Sequence, residues 1–552
     1  MDQLSNDRAK DIIALRDREQ ARQGTFRTLW QSVSDMIFPQ THGISSTSSP
    51  GQELMTNLFD TTAVEEAENM ASGITNNLFP PGQQFFALTT SGTRFAENRL
   101  ANEYLDYLTQ ETHQHIANSN FQGQVGNTIH YWLTFGTGAL YSEWTVKDGL
   151  SYRDYGIGTY QCLENSVGII DTIIVTCPMT ARQIVQDCGE RAGPKVLEAN
   201  RLPESRNDIF NVIHVIRPRK DFDPNPQLRP AGRMPFESIF VQEKDAIVLP
   251  DLKTGLAEGG FDEFPFVVPR YQVIASEVYG RGRGTMMLRT VRVLNRLAKD
   301  YLEMSNKWVN PPREVLESFE GTVNVTPGAE NIVMEIPSIK AIDMGAHGAY
   351  PVTKDILEYY REGVRQGFLK NAFEPITPLT GDRRNTTEII ERLKEGMKKL
   401  NKPIGRLFPE LLEPNIRRTA MLLIRNRVVD PPPMQLEAEI EFINPLALAI
   451  RDQQARGLQY WATALAEMED TWPGITDNLD ADEAARDLGR SLGVKTTHIR
   501  SIRERDKRRE QRAAAEAELQ AVQMAATAAE GYGKTTKAPE AGSLAGAVTG
   551  GE

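Results

Sequence analysis

Apolar residues recur at helical spacing along much of the first third of the chain. This spacing predicts two helices before Pro39 and a third helix from Asp60 to Asn77, capped by Asp60-Thr61-Thr62 and ended by Pro80-Pro81-Gly82. A short strand, Phe85–Leu88, is expected next, followed by helices over 94–118 and 122–135. The chain up to about residue 135 is therefore predicted to be mainly helical.

The pattern changes to short β-rich runs between residues 139 and 270. One helix is expected near Thr180–Cys188, and turn residues separate the other runs. This arrangement indicates an α+β domain with a mixed or antiparallel sheet. The predicted strands are Ala139–Val146, Gly168–Val175, Asn211–Pro218, Glu237–Gln242 and Ala246–Leu249.

A helix, a strand insert and a second helix are predicted after residue 280. The first helix begins near Thr285 and ends at Pro311-Pro312, and the second begins with Thr353 as its N-cap and ends near Phe368. The insert between them contains three short strand patterns, Val323–Val325, Ile332–Ile336 and Ala341–Met344.

Residues 370–385 contain two prolines and a glycine without helical periodicity, which predicts a loop. Asn385 and Glu388 then form a capping box for another helix, which Pro403, Pro409 and Pro414 should kink or divide. A strand over Gln435–Ile443 and further helices from Leu446 follow, and the composition from Gly531 onwards predicts disorder.

Composition narrows the function classes. The chain has 552 residues and a formal charge of −12, which argues against a broad basic surface that grips nucleic acid, although an acidic wall is compatible with DNA that slides past it. Cys162, Cys177 and Cys188 lack metal-site spacing and are expected to be free thiols. The charged N-terminus and the absence of a long apolar run predict neither secretion nor a membrane span.

No motif in the sequence predicts catalysis, a cofactor or a metal site. Gly531–Thr535 ends like a phosphate-binding loop but lacks the first glycine, a preceding strand and a following apolar helix. Gly280–Gly284 could bind a phosphate at a helix N-terminus, but a hinge is favoured because the dinucleotide-binding spacing is missing. The histidines and the acidic run Asp477–Asp482 do not match known ligand spacings.

Two groups of basic residues are candidates for contact with DNA. Arg383 and Arg384 lie in the predicted loop, where they could touch phosphates or pair with acidic residues of a neighbouring subunit. The Arg500–Arg512 cluster is the one locally basic block, and a solvated helix face is favoured over DNA contact for it.

Taken in order, several segments resemble the portal, or head-to-tail connector, proteins of T7-like short-tailed bacteriophages. No single motif is diagnostic, but the order and spacing extend over nearly the full length; Phe85-Phe86 departs from the family's expected Trp-Phe pair. The matching segments are Phe59–Thr62, Leu78–Gly82, Phe135–Gly138, Pro265–Arg270, Tyr279–Gly282, Val293–Asn295, Asn444–Ala447 and Gly493-Val494.

The resemblance implies a mainly helical α+β portal fold assembled as a ring, usually twelve-fold. The implied parts are a wing (1–280), a stem helix (281–310), a clip (311–352), a second stem helix (353–370), a channel loop (371–386), a return helix with a wing strand (387–445), a crown (446–496), a barrel helix (497–530) and a disordered tail (531–552). Lys370, Arg383 and Arg384 become candidate residues at the channel loop. Arg505, Arg508, Arg509 and Arg512 become candidate DNA or subunit contacts in the barrel.

The same resemblance implies a structural role in the virion, at a capsid vertex, after synthesis in the bacterial cytoplasm. The ring would nucleate head assembly, dock the large subunit of a terminase motor, pass double-stranded DNA during packaging and ejection, and bind tail adaptors. Major capsid, scaffolding and internal core proteins are further implied partners. Two alternatives stay open: a DNA-processing enzyme of the packaging machinery, and a tail adaptor or minor capsid protein.

Overall fold

A computed structural model describes residues 2–39, 43–45, 51–90, 99–145, 147, 149–225, 227, 230–251, 259–309, 313–315, 339–341, 349–370, 400, 402–433, 438–443, 445–469, 471–472, 474–491 and 502–533. Its helices are α1 Asp2–Arg22, α2 Gly24–Ile37, α3 Thr62–Leu78, α4 Arg99–Asn118, α5 Phe121–Thr134, α6 Ala181–Cys188, α7 Pro194–Arg201, α8 Arg283–Val309, α9 Ala349–Gly367, α10 Glu413–Arg425, α11 Pro445–Met468, α12 Ala481–Ser491 and α13 Ile502–Gly533.

The strands are short, and every strand pair among the described residues is antiparallel. They are β1 Phe86–Thr90, β2 Leu140–Thr145, β3 Gly149–Asp154, β4 Tyr160–Glu164, β5 Ile170–Thr180, β6 Ile209–Pro218, β7 Phe236–Gln242, β8 Ile247–Leu249, β9 Gly259–Phe261, β10 Phe266–Val267, β11 Arg313–Val315, β12 Ile339–Ala341 and β13 Ala438–Phe442. The α+β class and the antiparallel sheet are confirmed.

The chain divides into two compact units. Unit 1 contains residues 1–85 and 110–431, and unit 2 contains residues 86–109 and 432–552. The largest sheet, in unit 1, has the order β4-β5-β6-β7-β8, with β9 also paired to β7.

Alternating residues of that sheet bury its two faces against different helices. On one face Ile213 and Val215 pack with Ile12 of α1, and on the other Val212 and Phe240 pack with Ile184 of α6. Because successive side chains of a strand point to opposite faces, β6 can serve both cores. Thr180 caps α6 with a complete capping box, in which Gln183 is the reciprocal partner.

Unit 2 begins with the antiparallel pair β1–β13, in which Leu88 lies opposite Ile440. The predicted strands at 85–88 and 435–443 are thus confirmed in their described parts. Its other described elements are helical: the first part of α4, residues 99–109, is followed in chain order by α11, α12 and α13.

Several predicted elements differ from the structure in their bounds or were not predicted. The second helix after the strand insert begins at Ala349 rather than with Thr353 as its cap; Pro351 is compatible with this because the first turn of a helix needs no intrahelical N–H donors. Arg313–Val315 forms a strand that was not predicted, paired with Ile339–Ala341. The last helix ends at Gly533, three residues beyond the predicted barrel helix.

The prolines between residues 402 and 425 do not divide the helical chain. Helix over 402–407 continues through a π-helical turn, Phe408–Leu412, directly into α10. Pro409 has no backbone N–H and cannot donate the i→i−4 hydrogen bond of an α-helix. The wider π-helical turn, with its i→i−5 spacing, accommodates the proline without ending the helix. The strand patterns at 323–325 and 332–336, the caps Asn385 and Glu388 and the tail after residue 533 lie outside the described residues.

Candidate functional site

Two of the sequence segments that carry the resemblance meet at one junction in unit 1. Gly136 approaches Gly280 and Gly282 so closely that a Cβ on Gly136 would lie 2.4 Å from Gly280 O and Gly282 N. The Thr137 hydroxyl accepts a hydrogen bond from Gly280 N–H at 2.9 Å, and Tyr271 N–H donates to Gly136 O at 2.8 Å. We call residues 136–138 and 280–282 the glycine junction.

The glycine junction explains the run of glycines that opens α8. A Cβ on Gly282 would lie 2.5 Å from Leu133 O, and one on Gly284 would lie 2.7 Å from Thr134 O. These glycines therefore permit backbone to pack on backbone. The sequence analysis had instead favoured a hinge at this position.

Helices α8 and α9 pack against each other, and a hydrogen bond joins the start of α8 to the end of α9. Arg283, in the first turn of α8, donates to the carbonyl oxygen of Gly367 at the end of α9, with an N···O distance of 2.6 Å. A Cβ on Gly367 would lie against Cε and Sδ of Met287, so a larger residue there would displace the Met287 side chain. The small residue lets the two helices approach closely at this end.

The segment that precedes α3 fastens the middle of the same pair. Asn295 of α8 accepts from Phe59 N–H at 2.7 Å and donates to Asn57 O at 2.9 Å. Arg361 of α9 pairs with the buried carboxylate of Asp60 at 2.9 Å. Asp60 also accepts from Thr62 N–H, the first amide of α3, at 3.0 Å, whereas Thr61 is the N-cap residue and its side chain makes no capping bond. One segment thus holds α8, α9 and α3 in register.

A buried arginine joins the glycine junction to the sheet and to the π-helical turn. Arg270, 4% exposed, pairs with Glu164 at 2.9 Å and with Glu410 at 3.2 Å. Its guanidinium also donates to Gly168 O at 2.7 Å, and its backbone N–H donates to Glu410 Oε2 at 2.7 Å. A planar guanidinium can donate to several acceptors at once, so arginine fits this site better than lysine would.

The predicted channel residues fall at the edge of the described chain. Lys370 follows α9, and its Nζ lies 4.0 Å from the carboxylate of Glu66. Arg383 and Arg384 lie outside the described residues, as does most of the predicted loop. Their assignment to a DNA channel therefore stays a prediction.

The basic cluster of unit 2 separates into two groups. Arg505 and Arg509 of α13 pair with Asp482 of α12 at 2.9 and 2.6 Å, which joins these two helices. No ion pair reaches Arg508 or Arg512 within the described part of the chain, and both side chains are exposed. The structure brings the first two arginines together on one carboxylate and leaves the other two facing solvent.

Burial, rather than charged partners, lowers the pKa of two histidines in unit 1, His130 and His214. Desolvation lowers the pKa of His130 to about 4 and that of His214 to about 3, so both rings are neutral at pH 7. The His130 ring lies tilted against Phe38 with 3.9 Å between ring centroids, and His214 stacks on Phe240 at the same distance. These are core rings; the described residues contain no cluster of three potential metal ligands.

Sequence reasoning missed the residues that fasten the helix pair. Asn295 and Arg270 belong to segments that were quoted for the resemblance, but nothing in the spacing indicated their partners 236 and 140 residues away. The sequence analysis did not single out Arg361, whose partner Asp60 is 301 residues away. Among the described helices, none combines the length and apolar character needed to cross a bilayer.

Comparison with known proteins covers almost the whole chain. The family model described as "Bacteriophage head to tail connecting protein" matches residues 9–499. A "Portal protein" of Salmonella phage epsilon15 is 24% identical over 521 residues, which cover 92% of this chain and 91% of that protein. A "Probable portal protein" of Bordetella phage BPP-1 is 22% identical over 476 residues, which cover 84% of each.

Proposed function

The chain belongs to the family of bacteriophage head-to-tail connecting proteins, and on that premise we propose that it is a portal protein. The observation that carries the proposal is the family match over 9–499 together with two similar portal proteins matched over most of their lengths. In this role the protein is part of the virion, where copies of the chain form a ring between capsid and tail.

The contacts between α8 and α9 support the proposal that these two helices form the stem of that ring. Helix α8 has 27 residues, which corresponds to a length of about 40 Å at 1.5 Å per residue. Three separate contacts hold the pair in unit 1: Arg283 to Gly367, Asn295 to Phe59, and Arg361 to Asp60. Rigid helices of this length suit the wall of a channel, and we assign α8 and α9 to that wall.

The strand pair β11–β12 lies in sequence between the two stem helices and supports a clip there. Arg313 lies opposite Ala341 in this small antiparallel ladder. We propose that the clip faces tail adaptors or the large terminase subunit, and that unit 2 supplies the crown and the barrel helix. The loop with Lys370, Arg383 and Arg384 would project into the channel.

Charge supports passage of DNA rather than tight binding. A ring of twelve chains, each with a formal charge of −12, would have a total formal charge of 12 × −12 = −144. Such a wall repels phosphate and creates no deep electrostatic well for a moving duplex. The basic residues of the loop would then be isolated contacts in an acidic channel.

The proposal is tested by assembly of the purified full chain, viewed by electron microscopy over a range of protein and salt concentrations. We expect closed rings with a central opening wide enough for duplex DNA. The variant with Arg383 and Arg384 replaced by Ala should form the same rings while packaging or retention of DNA changes in particles. Monomers under every assembly condition would refute the portal role, and loss of the ring in that variant would make the two arginines structural.

A further inference from the structure

A cavity of about 520 Å³ lies in unit 1 between the largest sheet and the β2–β3 ladder. Its base is formed by Cys177, Val212, His214 and Phe240, and side chains of β2 and of the chain from β3 onwards form one wall. We propose that this cavity binds a small aromatic molecule that carries a carboxylate. Such a site goes beyond the portal role and does not depend on ring assembly.

The base of the cavity is apolar and partly aromatic. Cys177 lies opposite Val212, and Phe240 lies opposite His214, so the four side chains share one face of the sheet. The His214 and Phe240 rings are stacked with 9° between their planes, and burial lowers the pKa of His214 to about 3, so that ring is neutral at pH 7. Small-molecule sites of about 300–1,000 Å³ are typically lined in this way, and aromatic side chains favour contact with another aromatic ring.

The wall supplies two hydrogen-bond donors. Arg153 lies opposite Tyr141 in the β2–β3 ladder, and its guanidinium lies over the ring of Tyr155, 5.2 Å from the centroid. Burial raises the pKa of the Cys177 thiol and the Arg153 charge partly offsets that rise, which indicates that the guanidinium faces the base of the cavity. Burial also raises the pKa of Tyr155 to about 12, so its hydroxyl keeps its proton at pH 7 and can donate.

Both donors are available to a ligand. Among the residues that the structure describes, the Arg153 guanidinium has no ion-pair partner and the Tyr155 hydroxyl has no hydrogen-bond partner. Guanidinium and phenol groups donate to carboxylate oxygens, and the bond from the guanidinium is charge-assisted. A carboxylate on the bound ring would therefore be held at this wall.

The acidic residues nearby do not reverse this preference. Glu143 lies diagonally across the ladder from Arg153, about 7–8 Å away, and already accepts a hydrogen bond from the Tyr141 hydroxyl at 3.2 Å. Asp154 follows Arg153 and so projects to the opposite face of β3, where Asn127 of α5 donates to its carboxylate at 3.5 Å. The polar groups that lack a partner are thus donors, which favours an anionic ligand over a cationic one.

The test compares three probes that share one ring system and differ in charge: naphthoate, the neutral naphthamide and the cationic naphthylmethylamine. Isothermal titration calorimetry measures their binding to the purified full chain. We expect naphthoate to bind about tenfold more tightly than naphthamide, because a charge-assisted hydrogen bond from Arg153 adds to the contacts of the ring. The amine should bind no more tightly than naphthamide.

Replacement of the donors should remove this preference. R153M should lower the affinity for naphthoate about tenfold and leave that for naphthamide unchanged, and Y155F, which keeps the ring, should lower it about threefold. The matched control R182M removes an exposed arginine of α6 that does not line the cavity, and it should change neither affinity. Circular dichroism of each variant checks that it folds.

Alkylation of Cys177 locates the bound probe. Saturating naphthoate should slow the reaction of Cys177 with iodoacetamide by about fivefold or more, measured by mass spectrometry, because the bound molecule covers the thiol. The buried Cys162 and Cys188 serve as references in the same digest.

The wild-type probe series decides the outcome even if a variant fails to fold. Equal affinities for naphthoate and naphthamide would overturn the assignment, and tighter binding of the amine would assign the cavity to cations beside Glu143 instead. Naphthoate binding that leaves Cys177 alkylation unchanged and that R153M does not weaken would lie elsewhere on the chain. No binding of any probe at millimolar concentration would show that the cavity takes no such ligand, and the portal role would stand in each case.

Discussion

Replacement of Arg270 by Met should destabilise unit 1 far more than replacement of an exposed arginine. Arg270 is 4% exposed and pairs with Glu164 and Glu410, whose side chains are 30% and 20% exposed. Met fills much of the volume but leaves two partly buried carboxylates without this cation. Gly168 O and Val278 O also lose a donor.

The expected cost follows from these contacts. Each lost hydrogen bond to a carbonyl costs about 1 kcal/mol. Breaking a buried ion pair on one side costs about 3–5 kcal/mol in all, and Glu410 keeps Arg406 at 2.7 Å, which places the expected loss for R270M near the lower end, at about 3 kcal/mol. The control R296M removes an exposed pair with Asp300, whose side chains are 75% and 48% exposed, and should cost less than about 1 kcal/mol.

Urea unfolding and hydrogen–deuterium exchange measure this difference. Exchange should accelerate in β4, β5 and the π-helical turn Phe408–Leu412 of R270M, because Arg270 joins these elements. A second variant, R270M/E164Q/E410Q, removes the uncompensated carboxylate charges and should recover part of the stability. If R270M and R296M unfold at the same urea concentration, Arg270 does not hold this region together and the reasoning is refuted.

Three further outcomes follow from other contacts. Gly282→Ala should cost about 3 kcal/mol or more in thermal unfolding because its Cβ would meet three backbone atoms within 2.7 Å, whereas Gly405→Ala, in an exposed helical position with no atom within 4 Å, should stabilise by about 0.5–1 kcal/mol; equal effects would contradict the glycine junction. Folding lowers the pKa of His130 to about 4, so the unfolded chain binds protons first and stability should fall as pH decreases from about 6.5 towards 4; His130→Phe should flatten the melting temperature between pH 6.5 and 5, and an unchanged slope would refute this. Asn295→Ala should cost about 1–2 kcal/mol and accelerate amide exchange at Phe59, since two backbone groups lose their partner, and unaltered exchange would contradict the proposed fastening of the helix pair.

Local patterns predicted the elements well where a single face decides burial. Apolar spacing located α8, because that helix buries a regular stripe, and β-rich runs between turn residues located β6 and β7. The start of α3 was recognisable from Asp60-Thr61-Thr62 because these side chains act on groups only a few residues away, as in the hydrogen bond that Asp60 accepts from Thr62 N–H. The start of α9 was misplaced because Thr353 is equally compatible with a cap and with the second turn of a helix.

Long-range contacts could not be predicted in the same way. Gly136 meets Gly280 across 144 positions, and nothing in either turn shows that the other is its neighbour. The sequence also did not distinguish the paired arginines 505 and 509 from the exposed arginines 508 and 512, because all four lie within eight residues of one helix. Only the position of Asp482 in the fold separates them.

The most direct measurement of the central claim is cryo-electron microscopy of the purified full chain, with particle symmetry determined without an imposed value. The account predicts a closed ring of identical subunits in which α8 and α9 line a continuous central opening that admits duplex DNA. A closed assembly without such an opening, or an opening lined by neither helix, would contradict it.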